Sequence, residues 1–391
     1  MTEAVIVAGA RTAIGRSYKG SLVDVDAFTL AEVVLREVIA RAGIDGKSLD
    51  DIVLAESLQG GGVIARNVAV RLGLDTVPGL ADNRHCAAGL SAIAIAAGSI
   101  KAGMDRMVVA GGTESLSSTP KVFKSEPASA ADPQPWFSPT HPPTAIAPNR
   151  DMSITVGENT ARLAGITRGE SDEWALHSHL RAAAARHSGA FAAEIVAVPV
   201  PDGQGGWRSF DADEQPRADS TIEKLASLPV LHPELPDATV TAGNASGIND
   251  GAAAVLVVSE DVAASEGLPI LGRVRSWASV AVSPERTGLA PTIAIPKALD
   301  RAGMKIGDVD LFEINEAFCS MAVACTRALG IDHGVTNVNG SGCGLGHPVA
   351  ATGTRMVITM LNELRRRGGS VGCVSMCAGG GMGGAMVIET A

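Results

Sequence analysis

Apolar and polar positions along the chain alternate between short apolar runs and longer stretches with helical spacing. The segments 107–110 (MVVA) and 371–378 (VGCVSMCA) are apolar and lead into glycines, which is typical of buried strands. The segments 87–100 and 350–364 carry small and apolar residues over lengths typical of helices. Strands that alternate with helices need crossover connections, so the pattern predicts an α/β fold with mixed or parallel sheets.

This pattern is present twice. Residues 41–56 read RAGIDGKSLDDIVLAE, and residues 301–313 read RAGMKIGDVDLFE. In each copy a helix is predicted to end at an Ala-Gly pair whose glycine provides a left-handed C-cap, and an acidic turn then leads into an apolar strand. Cys86 and His347 follow their copies at nearly the same distance, each just before a helical run. Two such halves packed face to face would bring Cys86 and His347 together across a pseudo-twofold axis.

A region of different composition separates the two halves. It is rich in proline, includes an amphipathic helix predicted over about 171–188, and carries Arg217 and Lys224. Because a long segment with its own helix is rarely a simple linker, we expect an inserted loop or lid domain. The predicted organisation is an N-terminal half over 1–117 completed by 245–268, the inserted domain over 118–244, and a C-terminal half over 269–391.

Composition supports the α/β interpretation and excludes several classes of function. Of the 391 residues, 46% are hydrophobic but only 3% are aromatic, so the core must be built from aliphatic residues. The net charge of −10 argues against a general nucleic-acid-binding surface. The uncharged segment between Arg84 and Lys101 is too short and too rich in alanine for a membrane span, and we expect it to be a core helix.

The cysteines point to a reducing compartment. They show neither the paired spacing of a zinc site nor a secreted disulfide framework, and the N-terminal residues lack the pattern of a secretory signal. We therefore expect free thiols, a cytoplasmic location and no metal site. Each cysteine taken alone is more often a small buried hydrophobe than a reactive group. The six are Cys86, Cys319, Cys325, Cys343, Cys373 and Cys377.

Cys86 and His347 carry the first candidate chemistry. A thiol at a helix N-terminus faces unpaired backbone N–H groups, which can lower its pKa below the free value of about 8.5. His347 follows a Gly-rich stretch and precedes Pro348, which is suited to open a helix. Its imidazole could accept the thiol proton and then steady a thioester oxygen. Either residue judged alone is more often structural than catalytic.

Two further candidates follow predicted strands. Cys377 precedes the glycine run 379–381, whose backbone N–H groups could form an oxyanion hole, and a second thiol there could shuttle protons. A plain Gly-rich turn is the alternative. Asn315 follows the strand of the second half and could hold a water against a developing oxyanion.

In this order along the chain, these segments resemble the thiolase family over essentially the whole length. The resemblance implies a thiolase-like α/β fold, with two duplicated halves in an α-β-α-β-α layered arrangement and an inserted loop domain. The segments that carry it are 7–15 (VAGARTAIG), 83–90 (NRHCAAGL), 110–115 (AGGTES), 213–217 (DEQPR), 242–252 (AGNASGINDGA), 315–318 (NEAF), 346–348 (GHP) and 377–381 (CAGGG).

The resemblance implies CoA-dependent cleavage of a 3-ketoacyl-CoA, or the reverse Claisen condensation of two acyl-CoAs, through an acyl-Cys86 intermediate. Cys86, activated by His347, would take the acyl group, and Cys377 would move the α-proton. His347 and a water held by Asn315 would stabilise the enolate oxygen. The backbone N–H groups of Cys86 and Gly379 would form a second oxyanion hole.

The same resemblance implies acyl-CoA and coenzyme A as partners, and a homodimer or homotetramer. Ser246 would lie along the pantetheine arm and Arg217 near the CoA nucleotide. Met152 would border the acyl pocket, and Phe318 belongs with these substrate-binding residues. No metal or redox cofactor is implied, because coenzyme A is substrate or product.

The chain departs from the family pattern near the expected acyl pocket. Asp151 stands where many acetoacetyl-CoA thiolases have histidine, residues 288–291 read GLAP instead of GIGP, and residues 340–348 read GSGCGLGHP instead of GGAIALGHP. The lid stretch from Pro120 to Pro148 is rich in proline. These departures leave every candidate catalytic group in place but leave the acyl group open.

Two alternatives remain. A ketoacyl or hydroxymethylglutaryl-type synthase on the same fold would share the nucleophilic cysteine, but such synthases generally lack a counterpart of Cys377. A catalytically silent thiolase-like acyl-CoA-binding protein would need none of the candidate catalytic groups, so their joint presence argues against it.

Overall fold

The computed structural model describes residues 2–125 and 132–391, so residues 126–131 of the proline-rich lid stretch lie outside the described part. The strands are β1 (Ala4–Thr12), β2 (Gly15–Arg16), β3 (Asp51–Ala55), β4 (Leu80–Asp82), β5 (Met107–Glu114), β6 (Phe123–Lys124), β7 (Gln134–Pro135), β8 (Ile195–Val196), β9 (Val198–Pro201), β10 (Trp207–Phe210), β11 (Asn249–Ser259), β12 (Gly272–Ala281), β13 (Leu311–Ile314), β14 (Val371–Ala378) and β15 (Met382–Thr390). The α-helices are α1 (Ala27–Ala42), α2 (Ile64–Arg71), α3 (Ala88–Ala102), α4 (Asn159–Ala164), α5 (Arg168–His187), α6 (Ile222–Ala226), α7 (Glu260–Ser265), α8 (Pro291–Ala302), α9 (Cys319–Leu329), α10 (Gly342–Leu345) and α11 (Thr352–Arg367). A π-helix, Ser153–Glu158, leads directly into α4.

Two half-sheets with the same strand arrangement form the centre of the molecule. The strands follow the order β13-β14-β15-β12-β1-β11-β5-β3-β4. In the first half β3 is parallel to β5, and β5, β11 and β1 are antiparallel neighbours. In the second half β13 is parallel to β14, and β14, β15 and β12 are antiparallel neighbours. The predicted duplication and the predicted mixed sheets are therefore confirmed.

Buried apolar clusters arrange these elements in five layers. α1 and α2 cover the outer face of the first half-sheet, where Leu30 shares a cluster with Leu54. α8 and α9 cover the outer face of the second half-sheet. Between the sheets lie α3 and α11, whose Ile93 and Met356 share a cluster with strands of both halves. This is the predicted α-β-α-β-α order.

The repeated Ala-Gly pairs end equivalent helices. α1 ends at Gly43 and α8 at Gly303, with φ of 68° and 71°, and each glycine N–H donates to the last helical turn. A short 3-10 helix then leads into β3 or β13. Glycine accepts this left-handed backbone without the steric cost of a Cβ, which is why the sequence alone revealed both helix ends.

The helices α3 and α11 cross closely at glycines. A Cβ on Gly89 would lie 2.7 Å from the carbonyl oxygen of Ala350 and 2.9 Å from the nitrogen of Thr354. A Cβ on Gly353 would lie 2.5 Å from the nitrogen of Leu90. Because the crossing is near the start of both helices, the residues that precede them are brought together.

The helix α3 is the central element of this packing. It belongs to a segment, His85–Ala102, that is long and apolar enough to cross a membrane by length and composition. Its side chains pack between the two half-sheets, so the prediction of a core helix is confirmed.

The region between the halves has its own elements, including α4, α5, α6 and the hairpin of β9 and β10. The helix predicted over about 171–188 is α5, which begins earlier because Thr167 and Glu170 form a capping box before its first turn. After this region the chain returns to the first half-sheet as β11, between β1 and β5. The domain boundaries assigned from the sequence stay a prediction.

Candidate active site

A cavity of about 250 Å³ lies where the two halves meet. It contains most of the residues predicted for the site, whereas Asn315 lies behind His347 and Arg217 lies elsewhere, exposed on the inserted region. The lining residues are Cys86, Leu116, Met152, Val156, Ser246, Gly247, Ile248, Ala317, Phe318, His347, Val349, Cys377 and Gly379.

Cys86 is held just before α3 by a turn with unusual backbone. His85 has a φ of 47°, which is uncommon for a residue with a side chain, and its N–H donates to Asn83 Oδ1 at 2.9 Å. The N–H of Ala87 donates back to the carbonyl oxygen of Arg84 at 3.1 Å. This tight turn presents the thiol to the cavity.

The expectation of a lowered pKa for Cys86 is wrong. Burial, opposed by a hydrogen bond from the Gly379 N–H and aided to a smaller extent by the nearby Glu114 carboxyl, raises the pKa of Cys86 to about 11. Loss of solvation outweighs the helix N-terminus because a thiolate inside a small apolar cavity has few water partners. The resting nucleophile is therefore a neutral thiol that needs a base.

His347 has the hydrogen-bonding arrangement of such a base. Its Nδ1 lies 2.7 Å from Thr352 Oγ1, and the Thr352 hydroxyl donates to the carbonyl oxygen of Pro348 at 2.8 Å. Because the only hydroxyl proton of Thr352 is used in this way, Nδ1 must donate, and Nε2 is left with a lone pair. The main-chain N–H of His347 donates to Asn249 Oδ1 at 2.9 Å, which fixes the backbone.

The environment keeps His347 neutral. Burial and the charge of Arg355 lower the pKa of His347 to about 3. The ring lies farther from a helix start than the sequence indicated, since α11 begins at Thr352 and not at Pro348. A neutral imidazole beside a neutral thiol means that the proton moves only when developing negative charge on a substrate oxygen can stabilise the imidazolium.

Asn315 extends the polar surface behind His347. It follows β13, is fully buried, and places Nδ2 3.4 Å from His347 Nε2. Its Oδ1 has no hydrogen-bond partner within the described residues. A buried amide oxygen without a partner is costly, so this group fits a site that a water or substrate completes. Gly342 makes room for it, because a Cβ there would lie 2.5 Å from Oδ1.

Cys377 ends β14 on the other side of the cavity. Burial, together with the nearby Cys86 and Cys325 thiols, raises the pKa of Cys377 well above its ordinary value. The glycines that follow turn the chain sharply, with φ of 87° at Gly380 and 80° at Gly381. This turn directs the Gly379 N–H to the Cys86 sulfur.

Three of the four predicted substrate-binding residues lie at the cavity, and the fourth does not. Ser246, Met152 and Phe318 line the cavity, and Ser246 is fixed by its N–H, which donates to the carbonyl oxygen of Ala317 at 3.0 Å. Arg217 is exposed and is not among the lining residues. Its predicted place beside a CoA nucleotide stays a prediction.

Several contributions to the site were missed by the sequence analysis. The apolar walls come partly from loops, through Leu116, Ile248 and Val349, and no periodic pattern marks such residues. Thr352 and Asn249 orient His347. In the sequence, Thr352 and Asn249 are marked only as polar residues within segments that are otherwise apolar.

The departures from the family pattern do not all lie at the pocket. Residues 288–291 and Cys343 are not among the lining residues of the cavity. Cys343 packs instead in a separate buried cluster with Cys319 and Trp174. The expectation that these positions reshape the pocket directly is therefore wrong, whereas Asp151 adjoins the lining residue Met152.

Within residues 2–125 and 132–391, no group of three or more His, Cys, Asp or Glu side chains is arranged to hold a metal ion.

The chain matches two family models, described as "Thiolase, N-terminal domain" over residues 4–261 and "Thiolase, C-terminal domain" over residues 268–390. It is 42% identical to an acetyl-CoA acetyltransferase of Escherichia coli (strain K12), covering 100% of this chain and 99% of the relative. It is 39% identical to a 3-ketoacyl-CoA thiolase of Bacillus subtilis (strain 168), covering all of both chains. The crystal structure of human mitochondrial 3-ketoacyl-CoA thiolase in complex with CoA superposes with a TM-score of 0.90 at 33% identity, covering 100% of this chain and 98% of that one. The chain belongs to the thiolase family.

Proposed function

We propose that this thiolase cleaves a 3-ketoacyl-CoA with coenzyme A, and condenses two acyl-CoAs in the reverse direction, through an acyl group carried on Cys86. The observation that carries the proposal is the meeting of two thiols and one neutral imidazole, Cys86, Cys377 and His347, in a single cavity. Relatives named acetyl-CoA acetyltransferase and 3-ketoacyl-CoA thiolase support it.

The first half of the cleavage reaction uses both thiols. His347 Nε2 accepts the thiol proton of Cys86 as the sulfur attacks the 3-keto carbonyl carbon. The carbon–carbon bond then breaks, and the leaving enolate of acetyl-CoA takes a proton on carbon from the Cys377 thiol. The products of this half are acetyl-CoA, an acyl thioester on Cys86, a thiolate on Cys377 and a protonated His347.

The second half restores the enzyme. A coenzyme A thiol gives its proton to the Cys377 thiolate, and the resulting CoA thiolate attacks the acyl thioester. Cys86 leaves as a thiolate and recovers its proton from His347. Condensation follows the same steps in reverse, with Cys377 removing the α-proton of the incoming acyl-CoA.

Two sets of donors would stabilise the oxygen atoms that become negative. The Nε2–H of protonated His347 and a water held by Asn315 would serve the enolate oxygen of the CoA thioester. The N–H groups of Cys86 and Gly379 would serve the oxygen of the acyl group on Cys86. The hydrogen bond from the Gly379 N–H toward the Cys86 sulfur supports this second role, and one such donor is typically worth about 10²–10³ in rate.

The remaining parts of the proposal concern binding and assembly. Ser246 is proposed along the pantetheine arm, because it lines the cavity beside Phe318. A homodimer or homotetramer is proposed from the family resemblance and from the exposed aromatic residues Phe123 and Phe137 near the β6–β7 hairpin. The cytoplasmic location stays a prediction.

No observation favours the two alternatives. A ketoacyl synthase would need a second histidine where the cavity has Cys377. A silent binding protein would not need a buried amide oxygen, that of Asn315, which has no partner in the described part of the chain and lies next to a neutral imidazole.

A cleavage screen tests the proposal. The protein is incubated with coenzyme A and 3-ketoacyl-CoAs of different length and branching, and acetyl-CoA formation is followed by mass spectrometry. We expect cleavage of at least one substrate, with Cys373→Ala as a matched cysteine variant that keeps the activity. If no substrate is cleaved, the silent binding protein becomes the better interpretation.

A further inference from the structure

A polar network borders the acyl side of the cavity at the position where this chain departs from the family pattern. The Asp151 carboxylate accepts hydrogen bonds from the Ser153 hydroxyl and from the Ser153 N–H at 3.1 Å. The Ser153 hydroxyl also lies 2.6 Å from His232 Nε2. On its other side, His232 Nδ1 lies 3.0 Å from Glu234 Oε1. We refer to Asp151, Ser153, His232 and Glu234 as the clip.

The clip joins two parts of the inserted region. Asp151 and Ser153 stand at the start of the π-helix, and His232 lies on the loop after α6, where Leu231 donates to the carbonyl oxygen of Val240 at 2.8 Å. The His232 side chain is only 13% exposed, so it is packed into this junction. The hydrogen bonds of the clip connect the loop to the first turn of the helix, and at the other end of the helix Glu158 accepts the N–H groups of Thr239 and Val240 at 2.9 Å.

The first turn of the π-helix forms a wall between two cavities. Met152 and Val156 line the active-site cavity. Ile154 and Glu158 line a neighbouring cavity of about 770 Å³ on the opposite side of the helix. A π-helix is uncommon and is frequently found at functional sites. Because there is open space behind this wall, its position depends on the contacts at the ends of the π-helix. The clip is one of these contacts.

The His232 ring lies between two carboxylates. The one hydroxyl proton of Ser153 is given to the Asp151 carboxylate, so the Ser153 oxygen is left to accept a hydrogen bond from His232 Nε2. Asp151 Oδ2 lies 3.4 Å from Nε2, and Glu234 Oε1 lies 3.0 Å from Nδ1. The ring is therefore held from both sides, by the start of the π-helix and by its own loop.

We propose that the clip is a positioning device that holds Met152 in the wall of the acyl pocket and thereby limits the length of the accepted acyl chain. This inference rests on the proposed function and specifies it further, since the same cavity would bind the acyl chain. Asp151 turns its carboxylate toward Ser153, so the wall facing the acyl chain is formed by apolar side chains of Met152 and Val156.

The test compares substrates of two lengths in variants that remove single links. Ser153→Ala deletes one hydroxyl and with it the hydrogen bonds to Asp151 and to His232 Nε2, while the Ser153 N–H bond to Asp151 and the 3.4 Å contact of Asp151 with His232 remain. Ser188→Ala is the matched control, because its hydroxyl bonds only to Ala185 at the end of α5. We expect the ratio of kcat/KM for 3-ketohexanoyl-CoA over acetoacetyl-CoA to rise about tenfold in the Ser153 variant, the scale of discrimination by small changes in an apolar pocket. A ratio that stays as in Ser188→Ala would overturn the proposal.

A second measurement does not depend on turnover. The methyl group of Met152, observed by NMR in protein labelled at methionine methyls, is expected to gain mobility in Ser153→Ala but not in Ser188→Ala. If the protein cleaves no substrate but Met152 is released, the proposed function fails while the clip stands. If cleavage occurs and the Met152 signal is unchanged, the clip is refuted.

Discussion

The two halves of the molecule share one framework but place different chemistry at its equivalent points. In the first half β3 is followed by Glu56 and β5 ends at Glu114. In the second half β13 is followed by Asn315, and Cys377 is near the end of β14. The first half thus has carboxylates where the second half has an amide and a thiol.

The hydrogen bonds explain this difference. Glu56 accepts the N–H of Ile64 at 2.7 Å, and Glu114 accepts the N–H groups of Leu58 and Ala350 at 3.1 Å. Glu56 and Glu114 thereby hold the chain after β3 and the chain before α11, and Glu114 lies near the Cys86 thiol. Among the described residues, Asn315 Oδ1 has no hydrogen-bond partner, and the second oxygen of Glu56, Oε1, has none either. Cys377 is a buried thiol whose pKa is raised well above its ordinary value. The first half therefore uses its carboxylates to hold backbone, and the second half supplies the amide and the thiol of the proposed reaction.

The largest effect is expected at Cys377. Cys377→Ala should lower turnover by about 10²–10⁴, the usual contribution of a general acid or base, while Cys86 is still acylated. The measurement is exchange of the α-proton of acetyl-CoA in deuterated water. Cys373→Ala is the control, because Cys373 is buried on the same strand and lies outside the cavity. Normal exchange in Cys377→Ala would remove this thiol from the mechanism.

The next comparison is between the residue that follows β13 and the residue that follows β3. Asn315→Ala should reduce kcat by about 10²–10³ if it holds a water that stabilises the enolate oxygen. Glu56→Gln, at the equivalent point of the first half, keeps an acceptor for Ile64 and should change kcat little. Equal losses in the two variants would show that Asn315 supports only the structure.

The crossing of the equivalent helices is expected to give a smaller effect, on stability. Gly89→Val places side-chain atoms against the backbone of Ala350 and Thr354 and should lower the free energy of unfolding by about 1–3 kcal/mol. Denaturant unfolding measures this loss. Gly98→Ala on the same helix, where the nearest atom, in Trp277, is 3.7 Å away, should instead be neutral or stabilising by about 0.5–1 kcal/mol. If Gly89→Val is as stable as the wild type, α3 and α11 can move apart at the crossing without loss of stability.

The smallest effect concerns the ionisation of the nucleophile. Because burial raises the pKa of Cys86 to about 11, the thiolate fraction rises with pH throughout the neutral and mildly alkaline range. Alkylation of Cys86 by iodoacetamide should therefore accelerate about tenfold per pH unit between about pH 7 and about pH 9. A plateau below about pH 8 would show a lowered pKa and restore the helix N-terminus as the dominant influence.

The sequence predicted those features that local chemistry determines. The left-handed caps at Gly43 and Gly303 require glycine, so the duplication could be recognised, and it placed Cys86 opposite His347. The ionisation of Cys86 could not be predicted, because burial by residues distant in the chain overrides the local helix end.

The orientation of the side chains in the site also depends on contacts that no local sequence pattern indicates. The unprotonated state of His347 Nε2 follows from Thr352 and the carbonyl oxygen of Pro348. The clip depends on His232, far along the chain from Asp151. Single residues in loops make these contacts, and neither periodicity nor a short motif identifies them.

The central claim is that Cys86 carries the acyl group. The most direct test is the intact mass of the protein after incubation with acetyl-CoA, compared between the wild type, Cys86→Ala and Cys377→Ala. We expect an acetyl adduct on the wild type and on Cys377→Ala, mapped to Cys86, and no adduct on Cys86→Ala. An adduct that persists in Cys86→Ala would contradict it.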